Sequence, residues 1–483
     1  MRKTSKANWL SFCKNFFALI LLFTLLNQNL KAQPNILYFM DQVHQSNQLN
    51  PAVQNCCNGF FSLPGLSGSY IKLLNSGFDY NDLIHPGTGK LADSLIIDID
   101  NVKSRLGKKN YLSAEVSVPL LGFGFWSGRS NFSFEVSFKN RTNLAYPENI
   151  VALTGGNGDF IGLNNSAKID RFGPDTYTYY EIASGWSRKM THRLTLGAKF
   201  KILSGLAAIQ KKRSNINLVT ADTTYAMSIK TDFNYNISAP VKFSYDKDGL
   251  ISEVNYEGSG SDFVPNRNLG LAIDFGAIYQ MTDNLKLYGS ITDLGFIRWG
   301  KYSTNIFQKG EFDYSGLTLD SVWTNSDYNE FEAWKDSLQE FIHFDHADSK
   351  FTTSLNSNIY IGASYDVTSF LNFGILSKTT LFDKSLHQAV TLSANLKPVK
   401  SFSASLSYSM MNREYKNIGF GMAYRLGIFQ MFLITDNIYT AFIPKNSKVA
   451  NFMFGLNLVF GCNKRDNFST LDNHYPTKNS DFM

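Results

Sequence analysis

A strict two-residue alternation of apolar and polar side chains recurs in this chain from its first third to its end. In "SNFSFEVSF" one face is Phe132, Phe134, Val136 and Phe138, and the other is Asn131, Ser133, Glu135 and Ser137. In "RLTLGAKFKI" Leu194, Leu196, Ala198, Phe200 and Ile202 alternate with Arg193, Thr195, Gly197, Lys199 and Lys201. "SFSASLSYSM" sets Phe402, Ala404, Leu406, Tyr408 and Met410 against five serines. The same pattern runs through 112–120, 269–279, 359–367, 392–396, 418–426 and 452–460. A period of two is the signature of a strand with unlike faces.

A soluble sandwich also alternates, so other features decide. The segments approach the ~9–11 residues of a tilted membrane-spanning strand. Tight turns join several of them: "KMTH" (189–192), "MTDN" (281–284) and "KPVK" (397–400). Aromatics sit near segment ends (Tyr279, Tyr288, Trp299, Tyr365, Tyr408, Tyr424 and Tyr439), where an interfacial girdle places them. After the leader, no stretch nears the ~20 apolar residues of a spanning helix. The fold class expected is all-β: a transmembrane antiparallel β-barrel of about 14 strands, within 12–16, over 59–461.

Charge narrows the partners. The formal net charge of +6 owes five bases (Arg2, Lys3, Lys6, Lys14 and Lys31) to residues 1–32, leaving 41 bases against 40 acids. That balance gives no electrostatic case for nucleic acid. The basic start, the apolar run 16–26 and Leu30-Lys31-Ala32-Gln33 read as a signal peptide cleaved near Ala32. Export with a barrel pattern places the chain in the outer membrane of a Gram-negative cell. Outer-membrane lipid and the barrel-assembly machinery are then the expected partners. The last strand, "NFMFGLNLVFG", presents Phe454, Leu456, Leu458 and Phe460 on one face as an assembly signal, before a polar tail at 462–483. Cys56, Cys57 and Cys462 remain in the mature chain; a bridge from the 56/57 pair to Cys462 is one arrangement, and pairing is otherwise open.

Insertions are expected near 79–109, 141–175, 211–267 and 303–350. In the last, Phe331, Trp334, Leu338 and Phe341 fall at helical spacing and predict a short amphipathic helix. "HFDHAD" offers His343, Asp345, His346 and Asp348 as a divalent-cation cluster, but the spacing fits no strong template, so neither metal nor cofactor is expected. "DKDG" (246–249) lacks the distal Glu of a calcium loop and reads as a hairpin turn. Ser69 and Lys72 of "SYIK" sit in an alternating strand rather than on one helical turn, and "GLSGS" has Ser69 where a nucleophile elbow needs Gly; no enzyme is expected. With apolar faces turned to lipid, Glu115, Arg193, Lys199, Lys201, Asp274 and Asp366 should face the lumen, because charges on the lipid face cost about 2–4 kcal/mol.

"NILYFMDQVHQSNQLNPAVQNCC" (35–57) precedes the first strand. Ile36, Phe39, Met40 and Val43 recur at helical spacing, and Asp41, Gln42, Gln45 and Asn47 offer hydrogen bonds to a polar wall. Pro51 ends the turn and pushes Asn50 extended. The segment 33–58 is expected to form a luminal plug, a short helix folded into the barrel at its periplasmic end, with Phe39, Met40, Gln45, Asn50 and Pro51 as its contacts.

"NLGLAIDFGAIYQMTDNLKLYGSITDLGFIRW" (268–299), "YIGASYDV" (360–367), "NFGILSKTTLFDKSLHQAVTLSANLKP" (372–398), the stretch from "SYSMMNREYKNIGFGMAYRLGIFQMFLITDNI" (407–438) to "NFMFGLNLVFG" (451–461), and the opening "LYFMDQVHQSNQLNPA" resemble a Bacteroidetes outer-membrane barrel family, domain of unknown function 5723. More distantly, the layout resembles long-chain fatty-acid transporter barrels and barrels associated with type IX secretion. The resemblance implies passage of small apolar molecules, or alternatively a structural or adaptor barrel for secretion or surface attachment with a secretion-system protein as partner. Fold alone decides between these in neither direction.

Overall fold

The computed structural model describes residues 35–462, apart from 88, 90–91, 163–164, 246–250, 257–267, 315–343, 383–384 and 412–413. The predicted helix over 331–341, the "DKDG" turn, His343 and the tail beyond Cys462 lie outside the described residues.

Fourteen strands close on themselves: β1 (Gly59–Asn75), β2 (Asn110–Ser127), β3 (Ser130–Tyr146), β4 (Gly173–Lys189), β5 (Leu194–Thr220), β6 (Leu269–Gln280), β7 (Leu285–Trp299), β8 (Asn358–Asp366), β9 (Leu371–Phe382), β10 (Ser385–Val399), β11 (Phe402–Met411), β12 (Glu414–Leu426), β13 (Phe429–Thr435) and β14 (Val449–Phe460). Each pairs antiparallel with its sequence neighbour, and β14 returns to β1 through Gly59↔Phe460 and Leu74↔Val449. Closure leaves the barrel without a free edge strand, so the ladder satisfies most of the backbone hydrogen bonds, as hydrocarbon requires.

The outer surface is apolar around the circumference. Leu73, Phe275, Ile361, Leu392, Leu406 and Phe452 all point outward, with Leu406 55% exposed. A belt of that extent is stable against lipid and not against water. The inner surface carries serines, threonines, asparagines and charges: Ser405, Ser407, Ser409, Asn417 and Asn457 are all buried. This barrel therefore spans a membrane.

Its two ends differ. At one, six connections of two to four residues join the strands, two of them opening on Gly128 (φ 58°) and Gly427 (φ 60°), where the tight hairpin needs a positive φ. At the other end stand long insertions. The outer half of β5 runs beyond the barrel and pairs with Ala167–Asp170 and with Met227–Ser238. The latter strand continues the sheet to Ser303–Tyr314 and then Asp345–Asp348. The insertion expected at 141–175 is narrower, because β3 continues to Tyr146 and β4 begins at Gly173.

Two of the aromatics expected in the girdle turn inward. Register slips between Ile273/Leu294 and Phe275/Ile291, where Asp293 adopts φ 59°. This bulge puts one extra residue into β7 and reverses which parity faces inward. Trp299 is consequently buried and donates Nε1–H to Thr353 Oγ1 at 2.8 Å. Tyr288, on the other side of the bulge, also faces the lumen and shares a hydrogen bond with Ser364 at 3.1 Å. Tyr279, Tyr365, Tyr408 and Tyr424 are exposed on the outer face.

Candidate functional site

Residues 35–58 lie inside the barrel. They form two 3-10 turns, Asn35–Phe39 and His44–Gln48, rather than one helix. Ile36, Leu37, Tyr38, Phe39, Met40 and Val43 pack with Tyr360, Leu376, Phe432, Ile434 and Met453 of the wall. Asp436, just past β13, accepts hydrogen bonds from the backbone N–H groups of Asn35 (2.9 Å) and Ile36 (3.2 Å). A barrel carboxylate thus caps the first turn of the segment, as an N-cap side chain would from within the helix.

Further down, the amides take over. Gln45 Nε2 donates to Ser67 O (3.0 Å) and Asn457 Oδ1 (2.9 Å), and Gln430 donates to Gln42 O (2.8 Å). Asp41 pairs with Lys397. Ser290 donates to Leu49 O at 2.7 Å and also meets the Tyr38 hydroxyl. Asn47 turns back on its own segment, donating to Pro51 O and Val53 O. Asn50 does likewise, accepting from Ala52 N and donating to Tyr38 Oη. The Asn50-Pro51-Ala52 turn fits a slot made by Gly197 and Gly276, which stand opposite each other on β5 and β6. A Cβ on either glycine would collide with Pro51 or Asn50. Phe39 lies against Gly374 and Met40 against Gly421 in the same manner. The segment leaves the lumen at the short-turn end, where Cys57 is bonded to Cys462 across the β1–β14 seam. Cys56 is a free thiol.

Beside the segment runs a buried network of charges. Lys201 Nζ lies 2.6 Å from Asp274, 2.7 Å from Asp293 and 3.9 Å from Glu181. Lys139 pairs with Glu181 (2.7 Å), Arg141 with Glu115 (2.9 Å) and Asp293 (3.5 Å), and Lys199 with Glu135 (3.6 Å). Of the charges expected in the lumen, Glu115, Lys199, Lys201 and Asp274 lie in this network. Asp366 sits at the short-turn mouth, partly exposed and paired with Lys286 at 3.4 Å. Arg193 is an exposed turn residue just before β5, not a lumen residue: the strand starts at Leu194, one position later than its alternation suggested. Asp293 owes its place to the bulge. The signal for it was legible as Thr292-Asp293, two consecutive polar residues breaking the alternation of "YGSITDLGF". Asp345, His346 and Asp348 are exposed on a short outer strand, and among the described residues no group of three or more metal-ligating side chains comes together.

One stretch of the wall is not continuous. β1 and β2 pair from Gly59 to Ser62 and again from Tyr70 onward, but Ser62 faces Gly122 while Tyr70 faces Ser117. Residues 63–69 on β1 thus oppose only 118–121 on β2, and each stretch contains a proline (Pro64, Pro119) that cannot donate to the ladder. Behind this interruption is a cavity of about 50 Å³, between Leu37 and Leu49 of the segment, Tyr70, Val116 and Met453 of the wall, and the charge network. That is room for a few waters. Outside it, Leu66, Leu120 and Leu121 are exposed to the membrane.

A family model described as "Family of unknown function (DUF5723)" matches residues 51–436. No curated protein matches the chain. Among solved structures, the Ralstonia pickettii toluene transporter TbuX is 10% identical, with 87% of this chain and 94% of that one covered at a TM-score of 0.37. The Pseudomonas putida toluene transporter TodX is 8% identical, with 86% and 92% covered at 0.36. A Pseudomonas aeruginosa FadL homologue is 10% identical, with 85% and 92% covered at 0.33. At scores this low, the barrel rests on its own strand pairing.

Proposed function

The chain belongs to DUF5723, a family of unknown function, and for this member we propose passage of small apolar or amphipathic molecules across the outer membrane, with residues 35–58 as the gate. The observation that carries the reading is the interrupted β1–β2 seam with a lumen cavity directly behind it. An axial, water-filled pore suits polar solutes. A break in the β1–β2 ladder at membrane depth, rimmed by Leu66, Leu120 and Leu121, is a place where the wall can part for a molecule that is soluble in the bilayer. Gln45 ties the gate to this seam by donating to Ser67 O, inside the stretch that pairs with β14 but not with β2. Moving the segment therefore enlarges the cavity and releases the seam together.

A second reading, an adaptor barrel for secretion or surface attachment, is favoured by a different observation. The lumen is filled by the segment and the charge network, and a sheet built on β5 rises beyond the membrane. Photolabelling separates the two. An apolar diazirine probe incubated with the purified chain in lipid should label Leu49 and Tyr70 as well as the seam. Labelling confined to outward residues such as Leu271 and Leu406 would refute passage and favour the adaptor.

A further inference from the structure

Two cations in the lumen stand outside the paired network. Lys72 on β1 and Lys378 on β9 are each only 2% exposed. Among the described residues neither ammonium has a hydrogen bond or a salt bridge; Lys378 has the Tyr360 ring, whose centre lies 5.5 Å away. The carboxylates that could serve them are committed elsewhere. Glu115, directly across from Lys72 in register, is held by Arg141 at 2.9 Å. Asp436 is occupied by the N–H groups of Asn35 and Ile36 and by Asn451 Nδ2 at 3.2 Å. The two lysines nevertheless share one electrostatic neighbourhood, since each interacts with Glu115, Arg141 and Asp436, and Lys378 with Lys72 as well. Both lysines thus lie in the field of the same charges, short of a counter-ion.

Two buried like charges without a partner are unfavourable, and the deficit is an affinity for an anion. Polar side chains connect the surroundings of the two lysines. Asn35 Nδ2 donates to Thr391, Thr391 shares a hydrogen bond with Ser409, and Asn451 stands opposite Lys72 on β14. Lysine presents a compact charge with three rotatable donors, which matches a carboxylate or phosphate without demanding a fixed fork geometry.

We propose that Lys72 and Lys378 form a binding site for a compact oxyanion, a carboxylate or phosphate group. This deepens the passage reading, on which it rests for the identification of that group as the head of a molecule in transit; the binding itself requires no passage. The site is also coupled to the gate. Withdrawal of Asn35 and Ile36 frees Asp436, which then competes with the bound anion for the lysines and favours its release.

The test is calorimetric titration of the full chain in detergent with two probes, inorganic phosphate and hexanoate. Tighter phosphate binding identifies a phosphate head, and tighter hexanoate binding a carboxylate amphiphile. Lys72→Met and Lys378→Met should each weaken the preferred probe about tenfold or more, while Lys378→Arg retains binding. Both Met variants should keep or raise the temperature at which the heat-modified band appears on a gel, because each removes an unpaired buried charge. Absence of binding to the unaltered chain, or equal affinity in the Met variants, overturns the site. Anion binding in a protein that passes no apolar probe would sink the passage reading and leave the site standing.

Discussion

A chain lacking residues 34–54 should still insert and show heat-modified gel mobility, but leak small polar solutes that the full chain excludes. The barrel closes through β1–β14 pairing without the segment, whose polar contacts are made to side chains and to carbonyls such as Ser67 O, in the stretch where the β1–β2 ladder is interrupted. Barrel interiors grow with strand number: about 8 strands are filled by side chains, whereas roughly 16–18 leave an aqueous channel. Fourteen strands fall between these, so the lumen is closed by what occupies it. Removing the cluster of Ile36, Leu37, Tyr38, Phe39, Met40 and Val43 takes away the apolar filling and leaves polar walls that water enters. Conductance across a planar bilayer is the measurement. Conductance equal to that of the full chain would show that the segment blocks nothing.

The second large effect concerns Lys201. Its ammonium stands among Asp274, Asp293 and Glu181, all nearly inaccessible to solvent. Lys201→Met leaves those carboxylates short of a cation, with only Lys139 on Glu181 and Arg141 on Asp293 remaining. Breaking a buried pair by removing one partner costs about 3–5 kcal/mol. The Asp293 bulge should suffer first, since its carboxylate is held by Lys201 and its N–H donates to Asp274 at 2.7 Å. The gel temperature for heat modification should fall markedly in Lys201→Met and recover in part with Lys201→Met/Asp274→Asn. A single variant as stable as the parent would show that the network is incidental. The contrast with Lys72→Met and Lys378→Met, where no loss is expected, separates a structural cation from a ligand-seeking one.

How much of this was legible in the sequence depends on the range of the interaction. Alternation is local, so the outward faces of β3, β5, β11 and β14 could be read directly from "SNFSFEVSF", "RLTLGAKFKI", "SFSASLSYSM" and "NFMFGLNLVFG". A bulge is also local, yet it reverses every later residue of its strand; missing it at Thr292-Asp293 misplaced Trp299. Arg193 failed for a related reason, because alternation does not say where a strand begins. The charge network is of another kind. Glu115, Arg141, Glu181, Lys201, Asp274 and Asp293 come from six strands, β2 to β7, and only the register of those strands decides which carboxylate meets which cation. Lys72, Lys378 and Asp436 escaped for the same reason: a missing partner is visible only once every neighbour is placed. The segment 35–58 was readable as apolar positions at helical spacing ending on Asn-Pro-Ala. Its two short turns follow from the wall, which supplies Asp436 at one end and the Gly197–Gly276 slot at the other.

Under the proposed function, the intact chain passes apolar molecules through a gated lumen. This passage is tested most directly by uptake of an apolar fluorescent probe across an asymmetric bilayer with lipopolysaccharide in its outer leaflet, which slows such probes by itself. With the full chain present, the probe should enter faster than through protein-free bilayer, while a charged sugar of similar size stays out. Entry of the apolar probe at the protein-free rate would contradict the account.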